Sequence, residues 1–324
     1  MPVLVTGSAG FIGYHVAEAL LARGDEVVGI DNLSPYYDVA LKRARLARLR
    51  RHAGFRFVEA DISDQEGMRR ALADTATARV VHLAAQAGVR HSLEHPFDYL
   101  RSNLAGHLII LEHCRHHDDF EHLVFASSSS VYGGNHKLPF AETDRVDTPV
   151  SLYAATKKAD ELMSHAYAEL YGLAQTGLRF FTVYGPWGRP DMAMWRFTEA
   201  ILAGRPIQVF NHGDMRRDFT YIDDIIAGVV VALDHPPPPS PSPPYRIYNI
   251  GNNRAEPLLR MVEVLERALG RAAQKQLLDM QPGDVKETYA DITAIRRDLG
   301  FQPTTPIDEG VPRFVAWYRE YHGL

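Results

Sequence analysis

Short apolar, β-branched runs alternate through the first half of the chain with stretches in which apolar residues recur every three or four positions. Runs of the first kind suit strands buried on both faces, and stretches of the second kind suit amphipathic helices. Their alternation predicts a doubly wound parallel sheet covered by helices on both sides. Strands are expected near Pro2–Thr6, Glu26–Ile30, Phe55–Glu59, Val80–Leu83, Leu123–Ala126 and Gln175–Phe180. Helices fall between them, among them Phe11–Arg23 and a long one carrying Tyr153 and Lys157. After about Phe181 the rhythm breaks into loops rich in Gly, Pro, Arg and Asp with shorter elements, which predicts a first domain over 1–181 and a smaller α/β domain over 182–324. Ile222–Leu233 is apolar enough to return to the first domain, and 219–251 is assigned to it. The run Pro236 to Pro244, seven prolines and two serines, reads as an extended, solvated surface insertion.

At 324 residues and 46% hydrophobic content the chain is long enough for two domains with sizeable cores. Its formal net charge of −5 argues against nucleic acid or an anionic membrane as the main partner, because both recruit a basic excess. Cys114 is the only cysteine, so no intramolecular disulfide can form and a reducing, cytoplasmic setting is expected. Met1 leads into strand-like residues with no signal core, and the longest apolar run, Ile225 to Leu233, is too short to cross a bilayer. Lys42, Arg43, Arg45, Arg48, Arg50 and Arg51 form a basic stretch with Leu41, Leu46 and Leu49 at helical spacing, read as a solvated helix face. No metal site is assigned.

The first candidate chemistry lies where the first strand meets the first helix. Gly7, Gly10 and Gly13 are spaced for a tight turn, for close approach of backbone to a pyrophosphate, and for close packing of helix on strand. The helix N-terminus then adds amide donors and a partial positive charge, the site of a Rossmann-type fold. Asp31, ending the second strand, is placed to accept hydrogen bonds from an adenosine ribose, and its charge disfavours a 2′-phosphate; NAD is therefore expected over NADP. Asp61 is positioned either to reach the adenine amine or to cap the helix starting near Asp64, and Leu83, Ala84 and Ala85 provide small residues for the phosphate–ribose portion. Phe11, Ile12, Asn32, Lys42, Ile62 and Phe180 complete the candidate cofactor contacts.

The second is Tyr153 with Lys157, four apart and so on one helix face. A phenol beside a cation ionises more easily, which suits a base for an alcohol. Ser127 to Ser130 directly follow an apolar strand and so belong at the carboxyl edge of the sheet, where ligands of doubly wound folds sit. Ser128 is the candidate for sharing a proton with Tyr153 and substrate.

With these residues the chain resembles the extended short-chain dehydrogenases/reductases, and within them the nucleotide-sugar 4-epimerases, over essentially its whole length. The resemblance implies that the glycines bind NAD, that Lys157 holds the nicotinamide ribose and favours the phenolate, and that Tyr153 is the base. Ser128 matches the family's catalytic Ser/Thr, three residues before Val131-Tyr132-Gly133. Three further stretches resemble UDP-glucuronate 4-epimerases in particular. They are Asp31-Asn32 leading to Tyr36-Tyr37-Asp38 and Leu41-Lys42, the run from Thr182 to Met192 (TVYGPWGRPDM), and Met280 to Val285 (MQPGDV).

Dehydratases and decarboxylases of this family usually carry Glu two residues after the catalytic Ser/Thr, where Ser130 stands, and dehydratases carry Asp where Ser129 stands. UDP-glucose epimerases usually have Asn at the place of Thr182 and Arg at that of Gln281. The resemblance thus implies inversion at carbon 4 of a UDP-uronate: a proton passes to Tyr153, hydride to NAD, and the 4-keto intermediate turns over before hydride returns. UDP-glucose epimerisation, UDP-glucuronate decarboxylation and a non-catalytic NAD sensor are the alternatives. Arg189 and Thr182, with Arg90, Ser129 and Ser130, are candidates for the carboxylate. Arg217 is the candidate for the diphosphate, against a surface ion pair with Asp218. Gln208 and Phe210 are expected beside the uracil and Asp284 at the uracil or its ribose. Asp223 and Asp224 are read as structural caps, and a homodimer through a helical bundle is implied.

Overall fold

Strands of near-continuous Val, Ile, Leu and Phe, with both faces apolar, build the centre of the molecule. Val3, Leu4 and Val5 are fully buried, as are Leu123, Val124 and Phe125. The computed structural model describes the whole chain except residues 74, 76, 241, 242, 282 and 283. The strands are β1 Val3–Thr6, β2 Val27–Asp31, β3 Phe55–Glu59, β4 Arg79–His82, β5 His122–Ser128, β6 Gln175–Phe180, β7 Thr182–Tyr184, β8 Ile207–Val209, β9 Arg216–Tyr221, β10 Tyr245–Ile250, β11 Ala255–Pro257, β12 Lys275–Leu277 and β13 Glu287–Thr288. The helices are α1 Phe11–Arg23, α2 Val39–Leu49, α3 Gln65–Leu72, α4 His91–Glu94, α5 Pro96–Tyr99, α6 Gly106–Arg115, α7 Leu152–Tyr171, α8 Ala193–Leu202, α9 Ile222–Leu233, α10 Leu258–Leu269, α11 Thr293–Leu299 and α12 Ile307–His322.

Seven parallel strands in the order β10-β6-β5-β4-β1-β2-β3 form the main sheet. Its winding direction reverses between β1 and β4, which opens the crevice where such sheets bind ligands. The six expected strands lie within two residues of their expected ends. The seventh, β10, comes from the returning segment and pairs with β6 from Tyr245↔Gln175 to Ile250↔Phe180. A smaller sheet, β11-β9-β13 with β7 beside β9, and the β8–β12 pair carry the other half of the cleft.

One apolar layer, including Leu4, Ile30, Ile110 and Phe125, lies on one face of the main sheet. The layer on the other face, from Val5 and Leu20 through Ile225 and Val229, continues without a break into Phe314 and Trp317 of α12. The two halves are therefore joined through a shared core.

Two sequence expectations change, and a third falls partly outside the described residues. In α2, Arg43, Arg48, Arg50 and Arg51 are exposed, but Lys42 and Arg45 turn inward. The Arg45 guanidinium donates to the carbonyls of Ala9, Trp187 and Gly188 at 2.8, 2.6 and 3.1 Å, so the basic stretch is not simply a solvated face. Asp223 and Asp224 lie in the first turn of α9 and do not cap it. The Asp224 carboxylate instead accepts from the backbone of Thr304 and Thr305 at 3.1 and 2.9 Å, pinning the approach to α12. Pro236–Ser240 is irregular and mostly exposed, and residues 241 and 242 of that run lie outside the described residues.

Candidate active site

A cleft of about 1070 Å³ runs across the carboxyl edge of the main sheet and under the smaller sheet. At one end, Gly7 takes a left-handed φ of +72°, and a Cβ there would lie 2.8 Å from the Ala84 backbone nitrogen. At Gly13 a Cβ would lie 2.1 Å from the Gly7 carbonyl oxygen. No larger residue fits either place, so the turn and α1 press against β1 and the loop after β4. Helix α1 has Gly10 at its N-cap, no capping side chain and no acid in its first turn. Its amide donors thus await an anion, which suits a dinucleotide pyrophosphate. Asp31 closes this end, with its carboxylate accepting from Ala9 N at 3.1 Å, Leu33 N at 2.8 Å and Lys42 Nζ at 3.2 Å. Phe11, Ile12, Asn32, Ile62, Leu83, Ala84, Ala85 and Phe180 also line the cleft.

Asp61 does not. Its carboxylate accepts from Asn32 Nδ2 at 2.9 Å and from the amide and hydroxyl of Ser63 at 2.8 and 2.7 Å. Burial opposes the charge, but these hydrogen bonds hold the carboxyl below its ordinary range. Asp61 is a buttress for Asn32 rather than part of the wall. The cap of α3 is Asp64, which accepts from Gly67 N at 3.0 Å.

The centre of the cleft is built by β5 and α7. Ser151 caps α7, accepting from Ala154 N at 3.1 Å, so Tyr153 enters in the first turn with Lys157 one turn on. Lys157 is buried and donates to the Ala126 carbonyl and to Asp160 Oδ2, both at 3.0 Å, leaving a third N–H. Burial raises the Asp160 carboxyl to about 6, against the pull of the Lys157 charge. Ser128 Oγ accepts from Ser130 N at 3.1 Å and starts the turn that presents Ser129 and Ser130. The Ser127 hydroxyl, by contrast, is committed to Glu161, to which it donates at 2.6 Å. The loop after β4 is tied to α7 by Asn103, which donates to the Gln86 carbonyl at 3.1 Å and to Thr156 at 3.0 Å.

The far end brings together Thr182, Arg189, Gln208, Phe210, Arg217, Asp284 and Arg90. Arg189 grips Asp191 with two bonds, at 2.9 and 2.5 Å, and the Tyr36 hydroxyl donates to the same carboxylate at 3.1 Å. Burial alone would raise the Asp191 carboxyl; the Arg189 charge reverses this and holds it low. Arg90 spans the cleft mouth, 3.1 Å from Asp284 and with its guanidinium 4.6 Å from the centre of the Phe210 ring. Arg217 is not paired with Asp218, which is fully buried and accepts from Thr220 Oγ1 and the amides of Asn252 and Ala290. Arg217 instead donates to the carbonyls of Arg216 and Lys286. Residues 282 and 283 of the stretch before Asp284 lie outside the described residues.

Tyr36, Asp191, Arg196 and Arg205 line the cleft although the sequence reading gave them no role. Tyr36 and Asp191 are 155 positions apart, so no local spacing links them. With them, the described lining holds seven cations (Lys42, Arg90, Lys157, Arg189, Arg196, Arg205 and Arg217) against four carboxylates (Asp31, Asp191, Glu199 and Asp284). Each of those carboxylates is already paired: Asp31 with Lys42, Asp191 with Arg189, Glu199 with Arg205 and Asp284 with Arg90. A chain of net negative charge thus carries a local excess of cations in this cleft, which suits an anionic ligand.

A glycine turn at the switch point of a parallel sheet, facing a tyrosine and lysine on one helix, is the architecture of the extended short-chain dehydrogenases/reductases. Residues 3–251 match the NAD dependent epimerase/dehydratase family, and the chain belongs to it. It is 50% identical to UDP-glucuronate 4-epimerase 4 of Arabidopsis thaliana over 99% of this chain and 76% of that one. It is 48% identical to a probable UDP-glucuronate 4-epimerase of Rhizobium meliloti (strain 1021), covering 98% and 97% of the two chains. Among solved structures it is similar to UDP-glucuronic acid 4-epimerase from Bacillus cereus in complex with UDP-glucuronic acid and NAD, with a TM-score of 0.91, 34% identity and coverage of 99% and 100%.

Proposed function

We propose that the protein is an NAD-dependent UDP-glucuronate 4-epimerase, interconverting UDP-glucuronate and UDP-galacturonate. The observation that carries this reading is the cleft's surplus of cations with every lining carboxylate paired. A UDP-uronate brings two phosphates and a carboxylate to be neutralised, while among the described residues lining the cleft every acid is paired and none is left to eliminate water.

In this reading the first-turn amides of α1, with Gly7 and Gly10, take the NAD pyrophosphate, and Asp31 takes the adenosine ribose. Lys157 holds the nicotinamide ribose with the N–H left over from Ala126 and Asp160. NAD, when bound, accepts hydride from sugar carbon 4 and later gives it back. Tyr153 takes the 4-hydroxyl proton, with Ser128 bridging the two oxygens, and returns it once the 4-keto sugar has presented its other face. The proton and hydride balance closes within one turnover.

The intermediate is a β-keto acid, which loses carbon dioxide unless its carboxylate is held in the plane that disfavours cleavage. Arg189, its fork fixed by Asp191, serves this with Thr182, Ser129 and Ser130. Arg217 takes the diphosphate, Phe210 and Gln208 flank the uracil, Asp284 contacts the uracil or its ribose, and Arg90 shuts the mouth. Incubating the purified protein with UDP-glucuronate and following the products by NMR is the test. UDP-galacturonate is the expected product; UDP-xylose alone, or faster turnover of UDP-glucose, overturns the assignment.

The same reading makes the chain a homodimer. Support comes from Leu108 of α6 and Leu162 and Leu170 of α7, all exposed apolar side chains on neighbouring helices. Light scattering on the eluting peak should give twice the chain mass; a monomer that turns over at full rate argues against it. No helix among the described residues is long and apolar enough to cross a membrane, and the lone Cys114 is buried, which suits a reducing cytoplasm.

A further inference from the structure

Just behind the cleft wall, His91, His95 and Asp98 converge. They are spaced four and three apart, and the fold places one ligand atom from each within 4.8 Å of the others. None of the three lines the cleft. His91 belongs to α4 and Asp98 to α5, while His95 sits at the joint, where its φ of −127° and ψ of 60° break the helix. That break lets a side chain from between the helices fold back over both. The two imidazoles stack, with ring centres 4.3 Å apart and planes 24° from parallel. His91 Nε2 lies 3.9 Å from Asp98 Oδ2. The other carboxylate oxygen of Asp98 is held by Arg101 at 2.5 Å, so the oxygen facing the histidines is the one left available.

We propose that His91, His95 and Asp98 form a binding site for a divalent transition-metal ion, outside the catalytic cleft. Two neutral imidazoles and one carboxylate are the donors of zinc and its neighbours, cobalt, nickel and copper, whereas magnesium and calcium take all-oxygen sets. With metal–nitrogen bonds of about 2.0–2.1 Å, a tetrahedral site needs its donors about 3.3 Å apart. The donors lie within 4.8 Å of one another, so binding requires the His95 ring to turn out of its stack on His91, with water as fourth ligand. His91 is held for this by its neighbours, its ring 4.8 Å from that of Tyr36 and 6.1 Å from that of Tyr99. His95 is exposed and free to swing in. A bound ion ties α4 to α5 and sits one ring away from Tyr36, whose hydroxyl holds Asp191. The site rests on the geometry of these three side chains and stands whether or not the catalytic assignment does.

The test uses the full chain without an affinity tag, stripped with a chelator and dialysed. Titration with Co²⁺ should give one equivalent of d–d absorbance per chain, displaced by Zn²⁺, and Zn²⁺ but not Mg²⁺ should raise the melting temperature. His95→Ala and Asp98→Asn should each weaken Co²⁺ at least about tenfold. Because His95 is exposed, its variant should match the parent in circular dichroism and in metal-free melting temperature. His116→Ala, which removes an exposed histidine beside Glu112, should leave binding unchanged. Absence of a stoichiometric Co²⁺ spectrum overturns the proposal. So does binding that survives His95→Ala, or binding that is lost in His116→Ala instead.

Discussion

Arg179 supports the floor of the cleft, and replacing it with Met should remove about a third of the protein's stability. Its guanidinium is buried in β6 and donates to both oxygens of Glu161, at 2.8 and 2.9 Å, and to the Tyr132 hydroxyl at 3.0 Å. Glu161, also buried, accepts from Ser127 at 2.6 Å, and the Tyr132 hydroxyl donates to Asn249 Oδ1 at 2.6 Å. This network knits the ends of β5, β6 and β10 to α7, beneath the serine turn. Burial alone would push the Glu161 carboxyl up; Arg179 overrides it and holds the group charged. Met keeps the volume and removes the two-point partner, leaving the buried Glu161 carboxylate with only the more distant, partly exposed Lys158 at 3.4 Å. The expected loss is about 3–5 kcal/mol, against about 5–15 kcal/mol for a typical fold. At about 2 °C per kcal/mol for a chain of this size, the melting temperature should fall by about 6–10 °C. In the variant Glu161 gains by protonation on folding, so the deficit should be larger at pH 8 than at pH 5.5. The double variant Arg179→Met/Glu161→Met removes both charges and should recover at least about 2 kcal/mol of the sum of the singles. Urea melts of the four proteins at both pH values measure this. A single-variant loss under about 1 kcal/mol, strict additivity, or a deficit that does not change with pH would refute the reasoning.

Tyr153→Phe keeps the ring and removes the base; turnover of UDP-glucuronate should fall by about 10²–10⁴-fold while NAD still copurifies, read from the cofactor released on denaturation. Full activity in that variant would exclude Tyr153 as the base. Arg189→Met should weaken kcat/KM for UDP-glucuronate by about 2 kcal/mol or more, roughly 30-fold, and for UDP-glucose much less. An equal loss on both substrates would place Arg189 at the diphosphate. Acid should destabilise the fold: burial holds the His15 and His122 imidazoles down at about 4 and that of His82 at about 3. The unfolded chain takes up those protons below about pH 6.5, so each histidine withdraws about 3 kcal/mol as pH falls from there towards 4. Asp160 works the other way, because burial raises it to about 6 and the folded state takes up its proton first, returning about 3 kcal/mol. From these four groups alone the balance is a loss of about 6 kcal/mol towards pH 4, so the melting temperature should already be lower at pH 5 than at pH 7.5; equal values would contradict it.

What could be read from the chain depended on how far apart the cooperating residues lie. β1 to β6 were visible because a strand buried on both faces leaves a run of apolar residues, and the helices between them supply the contrasting period. β10 was harder: Tyr245-Arg246-Ile247-Tyr248-Asn249-Ile250 mixes polar with apolar residues and follows the proline run, and only pairing with β6 makes it a member of the main sheet. The glycine turn and the Tyr153–Lys157 pair are legible because each works across one turn of backbone, which fixes the spacing of the residues. Lys157 and Asp160 also show a local spacing, but an exposed ion pair on any helix shows the same one; burial decides its meaning, and burial is set by β5 and α6.

Lys42 and Arg45 carry the same lesson, hidden inside a basic run until α2 packs against the glycine turn. Arg189 could be picked from its own stretch, whereas the Tyr36 hydroxyl that orients its partner Asp191 comes from the other half of the molecule. The groups proposed to move the proton and hydride thus come from short motifs, while those that would hold a carboxylate still come from contacts between the two halves. A relative sharing the motifs can therefore act on a neutral sugar, and the difference should lie in which side chains reach Arg189 across the cleft.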